Sequence, residues 1–254
     1  MRVFHRKSAN SIRNHRLTGR ENHANALSAM RQLILDLLPE MPPNLDNFVA
    51  GGNAEAFTGL VAWLAPDNRE TSLLLWGESG SGKTHLLRAC GAVYHDAASD
   101  PALLALAQDR CDMAACLAID QVDALNEAGQ IALFNLFNRV RAAGGRLLTA
   151  AAQPPQGLRL REDLRTRLGY GLIYRLHPLT DDEKISALTA QAQARGMKLP
   201  TEALTYLIAR APRDMRSLSR LLSALDRYSL EHKRTITLPL LREVLYAPQE
   251  VTFS

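Results

Sequence analysis

A chain of 254 residues, 46% of them hydrophobic, suffices for one large domain or two smaller ones with an ordinary core. It contains no apolar run near the roughly 18 residues that a membrane span needs, so no membrane partner is expected. The net charge of +4 is concentrated in residues 1–29, which hold six basic side chains and one acidic side chain. The remaining residues carry 24 basic and 25 acidic side chains, which argues against a DNA-binding body and against direct sequence-specific DNA binding.

Residues 1–29 are polar, rich in Asn, His and Arg, and lack the apolar core of a secretory signal. We predict that they form a basic, disordered tail. Met30 follows directly, so a second interpretation is that translation starts at Met30 and that residues 1–29 come from a start codon assigned too far upstream.

The three cysteines, Cys90, Cys111 and Cys116, show neither CxxC spacing nor histidines at ligand spacing. Such cysteines are typical of buried thiols in a reducing compartment rather than of metal ligands or disulfides. We therefore expect a cytoplasmic protein.

Residues 30–46 contain the hexapeptide QLILDL, followed by a proline-rich linker. In an extended peptide alternate side chains point the same way, so Leu33, Leu35 and Leu37 can fill apolar pockets of a partner. The amide of Gln32 can add directional hydrogen bonds. The alternative is a strand or helix turn that folds onto the domain.

From residue 47 to 176 the pattern alternates between helix and strand. Apolar runs and helical spacing predict a loop and helix at 47–64, strands at 71–76, 117–120, 146–150 and 171–176, and helices at 85–93 and 127–143. Beyond residue 176 only helices are predicted, at 180–195, 201–211, 214–231 and from 237 onward. The prediction is an α/β domain with a mostly parallel sheet over 47–176, followed by a small all-helical lid over 177–254.

The motif GESGSGKT, which begins at Gly77, lies between a predicted strand and a predicted helix, as a phosphate-binding P-loop requires. Gly77, Gly80 and Gly82 let the backbone turn its N–H groups toward phosphate oxygens, and the helix N-terminus adds partial positive charge. Lys83 would reach the β- and γ-phosphates, and the Thr84 hydroxyl would ligate Mg²⁺. The motif predicts binding of a nucleoside triphosphate or diphosphate.

Asp120 ends an apolar strand and is predicted to be the Walker B carboxylate beside the Mg²⁺ held by Thr84. The alternative is a surface aspartate that ends a strand. The next residue, Gln121, stands where many P-loop ATPases have an acid, and an amide cannot accept a proton at neutral pH. Residues 150–152 are all alanine where such folds use a polar sensor. Both differences from the usual ATPase pattern predict that the protein binds nucleotide but hydrolyses ATP only weakly by itself.

Four stretches together resemble the AAA+ ATPase family, and within it the bacterial initiator DnaA and its shorter relatives. They are NFVAGGN from residue 47, WGESGSGKTHLLRA from 76, LREDLRTRLGYGL from 160 and RDMRSLSRLLSALDRYS from 213. The resemblance covers about residues 32–246, with the motifs in the family's order. It implies an AAA+ P-loop domain with a helical lid that binds ADP or ATP with Mg²⁺. The sequence ends soon after the lid, so the resemblance does not extend to the initiator's helix-turn-helix domain.

The resemblance also implies roles for residues outside the P-loop. Phe48 and Val49 match the opening of the adenine pocket. Arg167 matches the arginine finger that reaches a neighbouring subunit's γ-phosphate, and Arg165 can share that role. Arg216 matches the lid arginine that touches the nucleotide bound in its own subunit. Each arginine has a solvated or salt-bridged surface position as its alternative.

The hexapeptide resembles the motif by which bacterial proteins bind the replicative sliding clamp, the β subunit of DNA polymerase III. The resemblance thus implies an adaptor that binds the DNA-loaded clamp and stimulates hydrolysis of ATP bound to DnaA, with ADP favoured as its own nucleotide. An autonomous ATPase such as a helicase loader is the main alternative. A DNA-binding regulator acting through the basic tail is the third. AAA+ modules generally associate with one another, so a homo-oligomer is a further alternative for this chain.

Overall fold

The structure, a computed structural model, describes residues 42–108, 115–211, 214–232, 235–239 and 241. The described residues up to Thr180 form one compact unit, and those from Asp181 onward belong to another. The basic tail, the predicted clamp-binding residues Gln32, Leu33, Leu35 and Leu37, and Cys111 lie outside the described residues.

The first unit is built on one parallel five-stranded sheet. Its strands are β1 (Ser72–Trp76), β2 (Val93–Asp96), β3 (Cys116–Asp120), β4 (Arg146–Ala151) and β5 (Leu172–Arg175). The spatial order is β2-β3-β4-β1-β5, with every neighbouring pair parallel. Because all five strands run the same way, the loops that follow them gather at one edge of the sheet, where α/β proteins bind ligands.

Five helices accompany the strands: α1 (Ala54–Leu64), α2 (Lys83–Ala89), α3 (Leu104–Gln108), α4 (Glu127–Ala143) and α5 (Glu162–Leu168). Single 3₁₀ turns occur at Gly51–Asn53, Val122–Ala124 and Pro155–Gly157. Helix α4 shows how the sequence sets such bounds. The side chain of Asn126 accepts a hydrogen bond from the Gly129 N–H at its start, and Gly144 ends it with a φ of 73°.

Both faces of the sheet are covered by apolar side chains, as a parallel sheet requires. Leu73 and Leu75 of β1 pack in the cluster formed with α1 and α2. Leu74 points to the other face and packs in a cluster that includes Leu133 of α4. Each of these three β1 leucines is at most 1% exposed, which fixes the strand directly before the glycine-rich loop.

The second unit is helical throughout its described residues. It consists of α6 (Asp181–Ala194), α7 (Thr201–Arg210) and α8 (Met215–His232), packed around an apolar cluster that includes Leu188, Leu207 and Leu222. A further helical turn follows, in which the Leu241 N–H donates to the Thr237 carbonyl over 3.0 Å. None of the helices in the described part of the chain is long and apolar enough to cross a membrane.

The predicted fold class is confirmed, since a mostly parallel sheet flanked by helices is followed by a helical unit. The predicted helix at 85–93 was wrong at its end, because α2 ends at Ala89 and Val93 begins β2. Gly91, with a φ of 66°, lies between the two elements. Strand β2 and helix α3 were not predicted, since four and five residues are too short to display a period.

Candidate functional site: a P-loop nucleotide-binding site

The glycine-rich loop connects β1 to α2, and two of its glycines are required by close approaches of other chain segments. Gly77 has a φ of 152°, and a Cβ there would collide with the backbone carbonyl of Leu176. Gly82 has a φ of 98°, and a Cβ there would lie 2.8 Å from the ring of Phe48. The loop therefore combines backbone conformations and spacings that side chains would block.

The ammonium of Lys83 is held on the loop itself. Its Nζ donates to the carbonyl oxygens of Gly77 at 2.6 Å and Glu78 at 2.8 Å. Burial lowers the pKa of Lys83, an effect opposed by the nearby carboxylates of Asp120 and Asp123. The loop thus carries a cation in contact with its own backbone, at the place where the motif predicts phosphate.

Thr84 and Asp120, predicted separately from two motifs, are brought together. The Thr84 hydroxyl donates to Asp120 Oδ2 over 2.6 Å, and Asp120 is only 1% exposed. Two further donors bind this carboxylate: the Tyr94 hydroxyl to Oδ2 at 3.0 Å, and the Gln121 backbone N–H to Oδ1 at 2.9 Å. A threonine that gives its proton to a carboxylate keeps its oxygen lone pairs for a cation. This oxygen donor set fits Mg²⁺.

The predicted base-binding segment lies against the P-loop. The ring of Phe48 stacks on Phe57 with centroids 5.4 Å apart, and lies 5.6 Å from the ring of His85, the residue after Thr84. His85 Nε2 also makes a 3.0 Å hydrogen bond with the Asn44 carbonyl oxygen. Val49, the neighbour of Phe48, is partly buried. Residues 44–49 therefore pack against the start of α2.

Asn53 joins this segment to the end of the sheet. Its side chain is 4% exposed; Nδ2 donates to the His177 carbonyl at 2.9 Å, and Oδ1 accepts the His177 N–H at 2.7 Å. Both polar atoms of a buried amide are thereby satisfied. Asn53 is the last residue of the NFVAGGN stretch, and no individual role was predicted for it.

The position after the Walker B aspartate is occupied by an amide that is held aside. Gln121 adopts a left-handed conformation with a φ of 54°, and its Nε2 donates to Asp96 Oδ1 at 2.8 Å. The nearby Asp123 is also engaged, because its Oδ1 accepts the Ala152 N–H at 3.0 Å. Gln121 therefore presents an amide, and no carboxylate, at the position directly after Asp120.

The two predicted arginines lie in different units. Arg167, near the end of α5, is partly buried, with its guanidinium 5.6 Å above the ring of Phe134. Arg165, on the same helix, is also partly buried. Arg216 is the second residue of α8, whose first turn is capped where the Asp214 side chain accepts the Ser217 N–H at 2.8 Å.

Tyr94 and Asp96 were not predicted as site residues, and both lie on the unpredicted strand β2. The register that pairs Asp96 with Asp120 brings β2 to the site. The letters VYHD could have been recognised as a strand, but nothing in them points to a partner in β3.

A glycine-rich loop between a central strand and a helix, with a threonine bound to a strand-end aspartate, defines the P-loop class of proteins. Its sheet order and separate helical unit are those of the AAA+ class. The family model described as the bacterial DnaA ATPase domain matches residues 42–115, and the model described as the Hda lid domain matches residues 181–245. The chain belongs to the Hda-like branch of the DnaA-related AAA+ proteins.

Relatives and solved structures agree with this assignment. An uncharacterized protein of Haemophilus influenzae is 32% identical over 228 residues, which cover 85% of this chain and 98% of that protein. Domain III of the replication initiation protein DnaA from Thermotoga maritima is similar with a TM-score of 0.63 and 24% identity, over 82% of this chain and 98% of that one. AMPPCP-bound DnaA from Aquifex aeolicus is similar with a TM-score of 0.57 and 21% identity, over 78% of this chain and 71% of that one. At these identities the solved structures show the shared fold.

Proposed function

We propose that this protein is an adaptor that stimulates hydrolysis of ATP bound to the initiator DnaA while docked on the DNA-loaded sliding clamp. It thereby limits re-initiation of chromosome replication. The proposal is carried by one observation: a P-loop suited to binding a nucleotide is combined with Gln121, an amide bound to Asp96, where a hydrolysing enzyme needs a base. Membership of the Hda-like branch supports a role in regulating DnaA.

The nucleotide of the adaptor itself is proposed to be ADP or ATP, because a related DnaA structure is described as bound to AMPPCP. The backbone of the glycine-rich loop and Lys83 would bind the phosphates, and Phe48 and Val49 would line the side of the base. The sequence resemblance alone supports Arg216 as a further nucleotide-binding residue. Mg²⁺, when bound through Thr84 beside Asp120, neutralises phosphate charge.

Thr84 and Asp120 serve binding in this proposal, while the position directly after Asp120 carries an amide in place of a base. The amide of Gln121 does not accept a proton at neutral pH, and the nearby Asp123 is held by the bond from the Ala152 N–H to its Oδ1. A protein that binds a nucleotide without hydrolysing it quickly can use that nucleotide to hold one conformation. An adaptor needs such a stably bound nucleotide, whereas a helicase loader that hydrolyses its own ATP does not.

Arg167 is the proposed group that acts on the partner. A guanidinium over an aromatic ring is partly fixed in orientation at modest energetic cost, and its N–H groups remain able to bind a phosphate. An arginine supplied in trans stabilises charge on the transferring phosphate and can raise hydrolysis by roughly 10³–10⁵. The ATP that is hydrolysed belongs to the initiator, so Gln121 does not limit the reaction.

Docking on the clamp is proposed from the hexapeptide alone, since its residues lie outside those that the structure describes. Gln32 would bind by its amide, and Leu33, Leu35 and Leu37 would fill apolar pockets. Asp36 lies within the hexapeptide but is not among the four side chains assigned to clamp binding, so its replacement serves as the matched control.

The test is a measurement of ATP hydrolysis by initiator preloaded with ATP, with clamp loaded on DNA, in the presence and absence of this protein. The double variant Gln32→Ala, Leu37→Ala is compared with Asp36→Ala as the matched control. Stimulation that requires the clamp, is lost in the double variant and survives in the control supports the adaptor. Turnover of ATP by this protein alone, without stimulation of the initiator, would replace the proposal with an autonomous ATPase.

A further inference from the structure

Tyr94 reaches the Walker B carboxylate from the edge strand of the sheet. It lies on β2, where it pairs with Ala118 of β3, two residues before Asp120. Side chains two residues apart on a strand point to the same face, so the phenol and the carboxylate are on one side of the sheet. The Tyr94 hydroxyl donates to Asp120 Oδ2 over 3.0 Å.

The phenol is held in place from two sides. Its ring packs on the apolar cluster that α2 and β1 share, and the guanidinium carbon of Arg88 lies 4.4 Å from the ring centroid. A phenol is protonated at neutral pH, so the hydroxyl acts toward Asp120 as a donor.

The consequence for Asp120 is a fixed orientation. Oδ2 receives two hydroxyl protons, from Thr84 and Tyr94, and Oδ1 receives the backbone N–H of Gln121. Thr84 is a proposed Mg²⁺ ligand, so its hydroxyl also has a second task. Tyr94 donates from strand β2, so the carboxylate is also held by a hydroxyl that is not itself a proposed Mg²⁺ ligand.

We propose that Tyr94 is a positioning residue that orients Asp120 for Mg²⁺ when nucleotide is bound. This inference rests on the proposed nucleotide binding and concerns only its Mg²⁺-dependent part. Groups that orient metal-binding residues typically change metal affinity about 10- to 100-fold when they are removed. Tyr94 would contribute to nucleotide affinity only when Mg²⁺ is present.

The variant Tyr94→Phe deletes the hydroxyl and keeps the ring under Arg88. Dissociation constants for ADP are measured by calorimetry with Mg²⁺ and again with EDTA, for wild type, Tyr94→Phe and Tyr174→Phe. Tyr174 is the matched control, because it is a β5 tyrosine that lies against Gly59 of α1. We expect the gain in affinity due to Mg²⁺ to fall about tenfold in Tyr94→Phe alone, with equal affinities in EDTA.

An unchanged Mg²⁺ gain, or an equal loss in both buffers, would overturn the role of Tyr94 and leave the proposed function intact. A wild-type protein without affinity for ADP would overturn both. Thermal unfolding of each variant checks its fold. Should Tyr94→Phe fail to fold, Arg88→Ala takes its place, since it removes the cation over the ring and retains the hydroxyl. A smaller loss of the Mg²⁺ gain is expected there, and no loss would again overturn the inference.

Discussion

The hydroxyl of Thr84 lies 2.6 Å from Oδ2 of Asp120. Thr84 follows β1 in the chain and Asp120 ends β3, and β4 lies between these two strands in the sheet. The contact spans the carboxyl end of β4, where Ala150 lies in the same apolar cluster as α2. Ala150 is fully buried, and the next residue, Ala151, is 1% exposed. The end of β4 therefore has no polar side chain at these two positions.

Replacing Lys83 by Ala should weaken binding of ADP and ATP by about 10- to 100-fold, the range expected for hydrogen bonds to a charged group. The ammonium lies on the loop carbonyls of Gly77 and Glu78, so its removal leaves the fold of the sheet untouched. Calorimetric titration with ADP measures the effect. Lys184→Ala is the matched control, because that lysine pairs with Asp181 in the second unit. Equal affinities in Lys83→Ala and wild type would contradict the P-loop assignment.

Replacing Gln121 by Glu should raise ATP hydrolysis by the protein alone at least about tenfold. A carboxylate can accept the proton of the attacking water, and repulsion from Asp96 would release it from its present position. The increase stays below the usual effect of a general base because β4 ends in alanines. Steady-state phosphate release is the measurement. Gln121→Ala, which also breaks the bond to Asp96, should stay at the wild-type rate, and a matching increase there would refute the explanation.

Replacing Arg167 by Ala should abolish stimulation of the initiator's ATP hydrolysis, a loss of about 10³-fold or more. The Arg167→Ala variant should keep its affinity for ADP and its binding to the clamp. Loss of the contact with the Phe134 ring should cost only about 0.5–1 kcal/mol in stability. Arg161→Ala is the control, since Arg161 pairs with Asp163 at the exposed start of α5. Retained stimulation in Arg167→Ala together with a loss in Arg165→Ala would transfer the role to Arg165.

Replacing Asn53 by Ala should lower the free energy of unfolding of the first unit by about 1–3 kcal/mol. Two hydrogen bonds to the His177 backbone are lost at a buried position. Trp63 and Trp76, the chain's two tryptophans, both lie in this unit, so denaturant unfolding followed by tryptophan fluorescence reports on it selectively. Asn68→Ala should show a smaller change, since water replaces its bonds at an exposed turn.

Cys90 and Cys116 should react slowly with iodoacetamide at pH 8. Burial raises the pKa of Cys90 to about 12 and also raises the pKa of Cys116, so both thiols carry less thiolate at pH 8 than a free cysteine does. The Cys90 thiol also donates to the Leu86 carbonyl at 3.0 Å. We expect Cys90 to react at least about 100-fold more slowly than free cysteine. Peptide mass spectrometry resolves each cysteine, and reaction of Cys90 at the free-cysteine rate would count against a buried thiol.

The parts of the fold that sequence predicts are those with local causes. The helix Glu127–Ala143 was predicted with the bounds that the structure shows, because a cap, an apolar stripe and a terminal glycine all lie within it or beside it. The strands before the P-loop and at Asp120 were predicted from apolar runs that stop at the glycine-rich loop and at Asp120.

The parts that sequence does not predict depend on register between strands. The bonds of Tyr94 to Asp120 and of Gln121 to Asp96 exist because β2 pairs with β3 in one alignment. A four-residue strand carries no periodic pattern that would have revealed this alignment. The Asn53–His177 connection likewise joins residues at opposite ends of the unit, and no local pattern encodes such a pair.

The strand that carries the P-loop lies between β4 and β5, both of which follow it in the chain. The Gly77 N–H donates to the Ala151 carbonyl, and the Leu176 N–H donates to the Trp76 carbonyl. During synthesis on the ribosome, the backbone hydrogen bonds around the first residue of the loop can therefore form only after both later strands have been made. A nascent chain from which Leu176 has not yet emerged contains the whole motif but lacks the neighbouring strand residues that bond to it.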